Sequence, residues 1–243
     1  MKFVLDAHTH TLASGHAYNT ITEMAAAAKA AGLQALGITE HGPTVPGSCH
    51  PIYYSNYKIL DRHSLGIELL MGVEMNILDY DGTVDVAPNY LRWIDIGIAG
   101  AHPPVAYTPG TRQENTAALL KAMHNPDVDV ISHPDDSRVP VNFDELARAA
   151  AESGVLLELN NASLHPLNIR SKGNPAAQML RLMESCYKHR AHVLVSSDAH
   201  CATEVGKFTA VEALLQQAGF PEELIVNTSL EKLKKHLHRF NMK

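Results

Sequence analysis

Short apolar runs alternate along this chain with longer amphipathic or alanine-rich stretches, and nearly every apolar run ends in polar residues. The runs are KFVLD (2–6), LQALGITE (33–40), LLMGVE (69–74), DIGIAGA (95–101), VDVIS (128–132), a run closing in ELNNAS (158–163), and HVLVSSD (192–198). Near-continuous apolar character suits strands buried on both faces of a parallel sheet. Between them the pattern predicts helices over 21–31, closed by Gly32, over 115–124, ended by Asn125-Pro126, and over 143–153, between an Asn142 cap and Gly154. Two more are predicted over 174–189 and 205–218. A strand–helix unit repeated about seven times predicts an α/β chain with a parallel sheet covered by helices.

The strand ends choose between an open sheet and a barrel. His8 and His10, with His16 just beyond, follow the first run, and His41, Glu74, His102 and His133 follow the next four; Asp198 and His200 follow the last. An open sheet gathers ligands at one switch point, whereas a barrel brings every strand end to one mouth. The expected fold is therefore a (β/α) barrel of about seven strands, one domain over 1–243, with a metal site at the C-terminal ends of the strands. Seven of the 15 histidines with two carboxylates make nine nitrogen or oxygen donors, more than one divalent ion can use. Strand alternation places Asp6 on the face of His8 and His10 and below them, where it would accept the second ring N–H of a ligand histidine.

Composition adds exclusions. The chain has 243 residues, 45% of them hydrophobic, enough for a complete core. No apolar stretch approaches a membrane span, and Asp6 and His8 come too early for a signal peptide, so a cytoplasmic location and no membrane partner are expected. Cys49, Cys186 and Cys201 are scattered and form no paired motif, which fits a reducing compartment. A net charge of −6 disfavours nucleic acid as a partner. His236 and His238, two apart on a basic helical stretch, should face different sides. A homo-oligomer is compatible with this composition.

The motifs DAHTH, ITEHG, GVE, SHP and SSDAH, in this order over nearly the whole chain, resemble those of the PHP (polymerase and histidinol phosphatase) metal-dependent phosphoesterases. ASGHAY, AGAHPP and the ELNNAS segment bring the resemblance nearest to the YcdX-type phosphatases. It implies a distorted (β/α)7 TIM-like barrel with three divalent ions at its C-terminal mouth, zinc first, with manganese and iron as the other fits. One ion would take His8, His10, Glu74 and Asp198; a second would share Glu74 and add His102 and His133; a third would use His16, His41 and His200. Glu40 stands where the family commonly has Asp, and its longer side chain would change local hydrogen bonding.

The resemblance further implies phosphomonoester hydrolysis by a metal-activated hydroxide, with no protein nucleophile and a small phosphorylated substrate. Asp6, Glu40, Asn160 and Asn161 are candidates for supporting ligands or touching substrate. Arg170 and Lys172 are the preferred phosphate contacts, ahead of Arg112 and Arg138. Two other readings stand beside this one. A PHP-type phosphodiesterase or nuclease would use nucleic acid as substrate and show a basic groove, whereas lids over 103–114 and 162–173 would favour small monoesters. A metal-binding scaffold without catalysis would be expected to lose ligands, and none is missing.

Overall fold

The computed structural model describes residues 1–168 and 173–241. Seven parallel strands lie side by side in chain order: β1 (Leu5–Asp6), β2 (Ala35–His41), β3 (Glu68–Asn76), β4 (Ile96–Gly100), β5 (Val130–Ile131), β6 (Leu156–Asn160) and β7 (Val193–Ser196). They form a nearly closed barrel, the (β/α) architecture expected from the pattern of strand ends, in the distorted seven-stranded form that the resemblance implies. Among the described residues the helices are α1 (Ile21–Ala30), α2 (Ile52–Ser55), α3 (Arg112–Ala122), α4 (Phe143–Ser153), α5 (Pro175–His189), α6 (Thr209–Ala218), α7 (Leu230–Lys234) and α8 (His238–Asn241).

Helix ends follow local chemistry. Helix α4 spans the predicted residues, with Asn142 accepting from Asp144 N and Gly154 in the left-handed region at its end. Helix α3 starts at Arg112, three residues before the predicted 115, because Thr111 and Glu114 close a capping box. Residues 205–208 of the predicted 205–218 helix are not helical. Phe208 offers α6 no side-chain cap; Asn161 supplies it from β6's end, accepting from Ala210 N at 3.1 Å and Val211 N at 3.2 Å.

Two apolar layers result. Outward strand residues such as Leu36, Ile38, Met71, Val73, Leu157 and Leu159 pack under the helices. Leu5, Ala7, Ala35, Leu70, Ile98, Val130, Leu156 and Leu194 fill the barrel, joined by Leu233 and Leu237 from the C-terminal segment. The tail thus plugs the barrel and gives the mouth above it an apolar floor. His238 N and Nδ1–H both donate to Asp129 Oδ1, at 2.8 and 2.7 Å, while Asp129 Oδ2 accepts from Gly97 N at 2.8 Å.

An eighth element closes the gap between β7 and β1 without being a strand. Fully buried Asn227 accepts from Val195 N at 2.7 Å and donates to Val195 O at 2.6 Å and Leu5 O at 3.2 Å, while its own carbonyl accepts from Val4 N at 2.9 Å. One side chain therefore reproduces ladder bonds on both sides. Higher up, Thr9 bridges Ala199 in parallel, and His10 N donates to Ala199 O at 2.9 Å. Asp6 belongs to this seam, accepting from Ser197 N and Oγ and from Gly206 N. Burial, opposed by those hydrogen bonds, pushes its carboxyl up to about 6.

Asn227→Ala removes three buried bonds and strands a Val195 donor and acceptor, so it should cost roughly 2–5 kcal/mol in denaturant unfolding of the metal-free protein. A loss under about 1 kcal/mol would mean the seam closes by other contacts. At the tail, the hydrogen bond to Asp129, working against partial burial, raises the His238 pKa above 6.5. The charged form is the one stabilised. The melting-temperature difference between wild type and His238→Ala should therefore be fullest below pH 6.5 and shrink as pH rises through the folded pKa.

Candidate metal centre

The ends of β2 and β3, with the loops after β1, β4, β5 and β7, bring all nine donors selected from the sequence to the barrel mouth. Four meet at the deepest point. His8 Nε2 lies 3.0 Å from His10 Nε2, 3.3 Å from Glu74 Oε2 and 3.7 Å from Asp198 Oδ1; His10 Nε2 lies 3.6 and 3.2 Å from the same two oxygens. A tetrahedral ion with ligands near 2.1 Å has edges of about 3.4 Å, the value around which these five distances scatter. The donor set fits one divalent ion.

Glu74 turns its other oxygen to a second group. Glu74 Oε1 is 3.1 Å from both His102 Nε2 and His133 Nε2, which are themselves 3.1 Å apart. Nearer solvent, His16 Nε2 and His200 Nε2 are 3.0 Å apart, and the His41 ring stacks on His16 at 4.9 Å. His41 Nδ1 also approaches Glu74 Oε2 to 2.8 Å, yet neither atom has a hydrogen-bond partner of acceptable geometry. Two buried polar atoms this close, without a bond between them, are arranged as co-ligands of a cation rather than as donor and acceptor. His41 thus stands between the groups instead of solely with His16 and His200.

Backbone conformation serves the cluster. His133 has φ 30° and Asp198 φ 53°, a region non-glycine residues enter rarely and hold where surrounding structure enforces it. At Gly100 a Cβ would collide with Ser132 Oγ and come within 3.0 Å of the His102 ring and 3.1 Å of the His133 ring, so only glycine leaves room for that pair.

Behind the donors lies a layer that fixes ring orientation. His8 Nδ1–H donates to Glu158 Oε1 at 2.6 Å, leaving its Nε2 lone pair toward the cluster. Glu158 also accepts from His133 N at 2.7 Å, Asn160 Nδ2 at 3.0 Å and Ser196 Oγ. Asn160 Nδ2 reaches Asp198 Oδ2 at 3.1 Å. His10 Nδ1–H donates to Ser14 Oγ at 3.0 Å, and Ser14 Oγ donates to buried Glu40 at 2.6 Å while accepting from His41 N at 3.0 Å. Thr11 N and Oγ1 also donate to Glu40.

Electrostatics divides the imidazoles. Burial pulls His8 down, but the Glu158, Glu74 and Asp198 carboxylates outweigh it and hold its pKa well above 6.5; a field that holds a proton also attracts a metal cation. Burial and then the neighbouring His41 and His200 hold His10 well below 6.5. Burial, His200 and His41 bring His16 to about 4. Both rings are thereby held in the neutral form, the one that can ligate a metal. Burial would raise Glu74, but His102, His8 and His41 keep it well below the usual carboxylate range.

Several expectations need correction. The place under the ligands foreseen for Asp6 belongs to Glu158, because β1 ends at Asp6 and the strict alternation of faces ends with it. Asn161 caps α6 instead of facing the donors. Arg112 Nε donates to Val141 O, and Arg138 is paired with Asp136 at 2.7 Å. Arg170 and Lys172 lie outside the described residues. The sequence reading missed Glu158, Ser14 and Ser132, whose Oγ donates to Glu74 Oε1 at 2.8 Å. A signal for Glu158 existed: one acid in the apolar run LLELN, two residues before Asn160 and so on the same face. His236 and His238 take different partners, Gly154 O and Asp129, but the helical stretch expected there is broken at 235–237, between α7 and α8, so helical spacing is not the reason.

The profile described as PHP domain matches residues 6–133. A probable phosphatase of Clostridium novyi is 42% identical over 98% of this chain and 95% of its own length, and one of Acetivibrio thermocellus is 38% identical over 98% and 97%. In structure, the histidinol phosphate phosphatase of Lactococcus lactis, solved with zinc, L-histidinol and phosphate, superposes with a TM-score of 0.64 at 18% identity, covering 89% of this chain and 94% of that one.

Glu158→Gln keeps the shape but weakens the acceptor for His8 and puts an amide beside the His133 N–H. Zinc affinity, measured by competition with a chromogenic chelator, should fall about 10–100-fold while circular dichroism stays unchanged. Unaltered affinity would assign Glu158 to packing alone.

Proposed function

Because the chain belongs to the PHP domain family, we propose that it is a metal-dependent phosphatase, hydrolysing small phosphomonoesters at a centre of three divalent ions, zinc first. The four donors spaced like the corners of one coordination tetrahedron carry this reading. Naming of 42% and 38% identical relatives as probable phosphatases supports the reaction class. His8, His10, Glu74 and Asp198 would hold one ion, Glu74 with His102 and His133 a second, and His16, His41 and His200 a third. Ions bound there supply a water of lowered pKa as nucleophile and positive charge for the phosphoryl oxygens.

The chain's own residues do the rest by position. Glu74 keeps the two inner groups at a set separation, with Ser132 steadying one oxygen. Glu158 and the Glu40–Ser14 pair keep His8 and His10 with lone pairs inward. Ser14, Ser132 and Ser196 donate their hydroxyl protons to Glu40, Glu74 and Glu158, so none is poised as a nucleophile. Six positive charges from three ions would exceed the four negative charges of Glu74, Asp198, Glu158 and Glu40, which suits a phosphate dianion at the mouth. Among the described residues no helix is long and apolar enough to cross a membrane.

The test reloads metal-stripped protein with zinc, manganese or iron, counts ions per chain and assays phosphomonoesters and phosphodiesters. Monoester turnover that rises with metal content is expected. Glu74→Gln should lose the inner ions and at least about a thousandfold in rate, corresponding to roughly 4 kcal/mol of barrier. Turnover retained without metal would overturn the mechanism; cleavage of diesters alone would make the protein a nuclease, and bound ions without turnover a scaffold.

A further inference from the structure

Beside the metal centre lies a cavity of about 460 Å³ that shares Asp198 and His200 with the donor cluster. Its walls come from the ends of β6 and β7 and the start of α6. Tyr18, Ala162, Leu164, Pro166 and Ala210 present apolar surface, and Lys207 is the cation lining it. Lys207 is paired with Glu204 at 3.0 Å, and Glu204 lines the cavity too, so the wall contributes no net charge from that pair. Tyr18 is 75% exposed, an unusual cost for an aromatic ring, yet its backbone is fixed to the centre, with Tyr18 N donating to His200 O at 3.0 Å.

These features meet what a leaving-group pocket requires. A phosphoryl group at the donor cluster leaves its ester substituent to extend past Asp198 and His200. A cavity of this size holds a ring-sized group, and apolar walls with a tyrosine reward burying one. Among the described lining residues the Lys207 cation is already paired with Glu204, so what the cavity wall adds to the metal centre is mainly apolar surface. Resting on the phosphatase reading above, the geometry points to this cavity as the leaving-group subsite, selecting phosphomonoesters of ring-bearing alcohols or phenols, with Tyr18 and Ala210 as specificity-determining residues.

Non-hydrolysable probes separate this inference from the reaction itself. Phenylphosphonate and methylphosphonate, titrated calorimetrically into zinc-loaded protein, share the phosphoryl anchor and differ in the ring. Phenylphosphonate should bind at least tenfold tighter. That ratio should fall several-fold in Tyr18→Ala and approach one in Ala210→Trp, whose indole fills the cavity, while the zinc count per chain stays that of wild type. Equal affinities in wild type, a ratio that survives Ala210→Trp, or failure of both phosphonates to bind would overturn the subsite. A protein that shows the ratio but turns over no phosphomonoester would retain the subsite and lose the phosphatase reading.

Discussion

Glu74 is the point on which the mouth of this barrel turns. Its carboxylate is buried and offers one oxygen to His8, His10 and His41 and the other to His102 and His133. Gathering so many donors out of water is expensive unless something cationic satisfies them. Several sit at ligand–ligand separations rather than in hydrogen-bond geometry, and two tolerate a left-handed backbone. The folded protein therefore holds unspent attraction for cations at a site floored by apolar residues, and this makes a metal centre the natural consequence of the fold.

That attraction is useful only if the ligands from opposite ends of the chain stay in register. His8 and His10 follow the first strand; Asp198 and His200 follow the last. The seam between those strands is closed by Asn227 near the middle and by the Thr9–Ala199 bridge at the top, one residue from His8, His10, Asp198 and His200. Gly37 assists, because a Cβ there would collide with the Ala7 carbonyl, holding β2 too far from the β1 loop. Barrel closure therefore sets the spacing of the donors that come from the two ends of the chain.

A second layer converts position into chemistry. His8 is backed directly by Glu158, His10 through Ser14 by Glu40, and the Asp198 carboxylate is held by Asn160. The serines that might have served as nucleophiles are consumed as donors in this layer. On the subsite reading, the shape and polarity of the Tyr18 cavity decide which ester fits.

The sequence by itself determined the strand–helix alternation, the seven strands and the nine converging donors, because strand endings and hydrophobic period are local properties written in consecutive residues. Helix α4 was legible to the residue for the same reason, since Asn142 and Gly154 mark it locally. Only the tertiary structure decided what depends on distant partners. Asp6 left the ligands for the seam, Asn161 became a cap for a helix 48 residues further on, and Glu158 came under His8 from 150 residues away. The same holds for Asn227, which completes the barrel from the 3-10 turn Val226–Thr228. A hydrogen bond's partner across the fold has no signature in neighbouring residues, because its choice is made by the packing of elements and not by their own propensities.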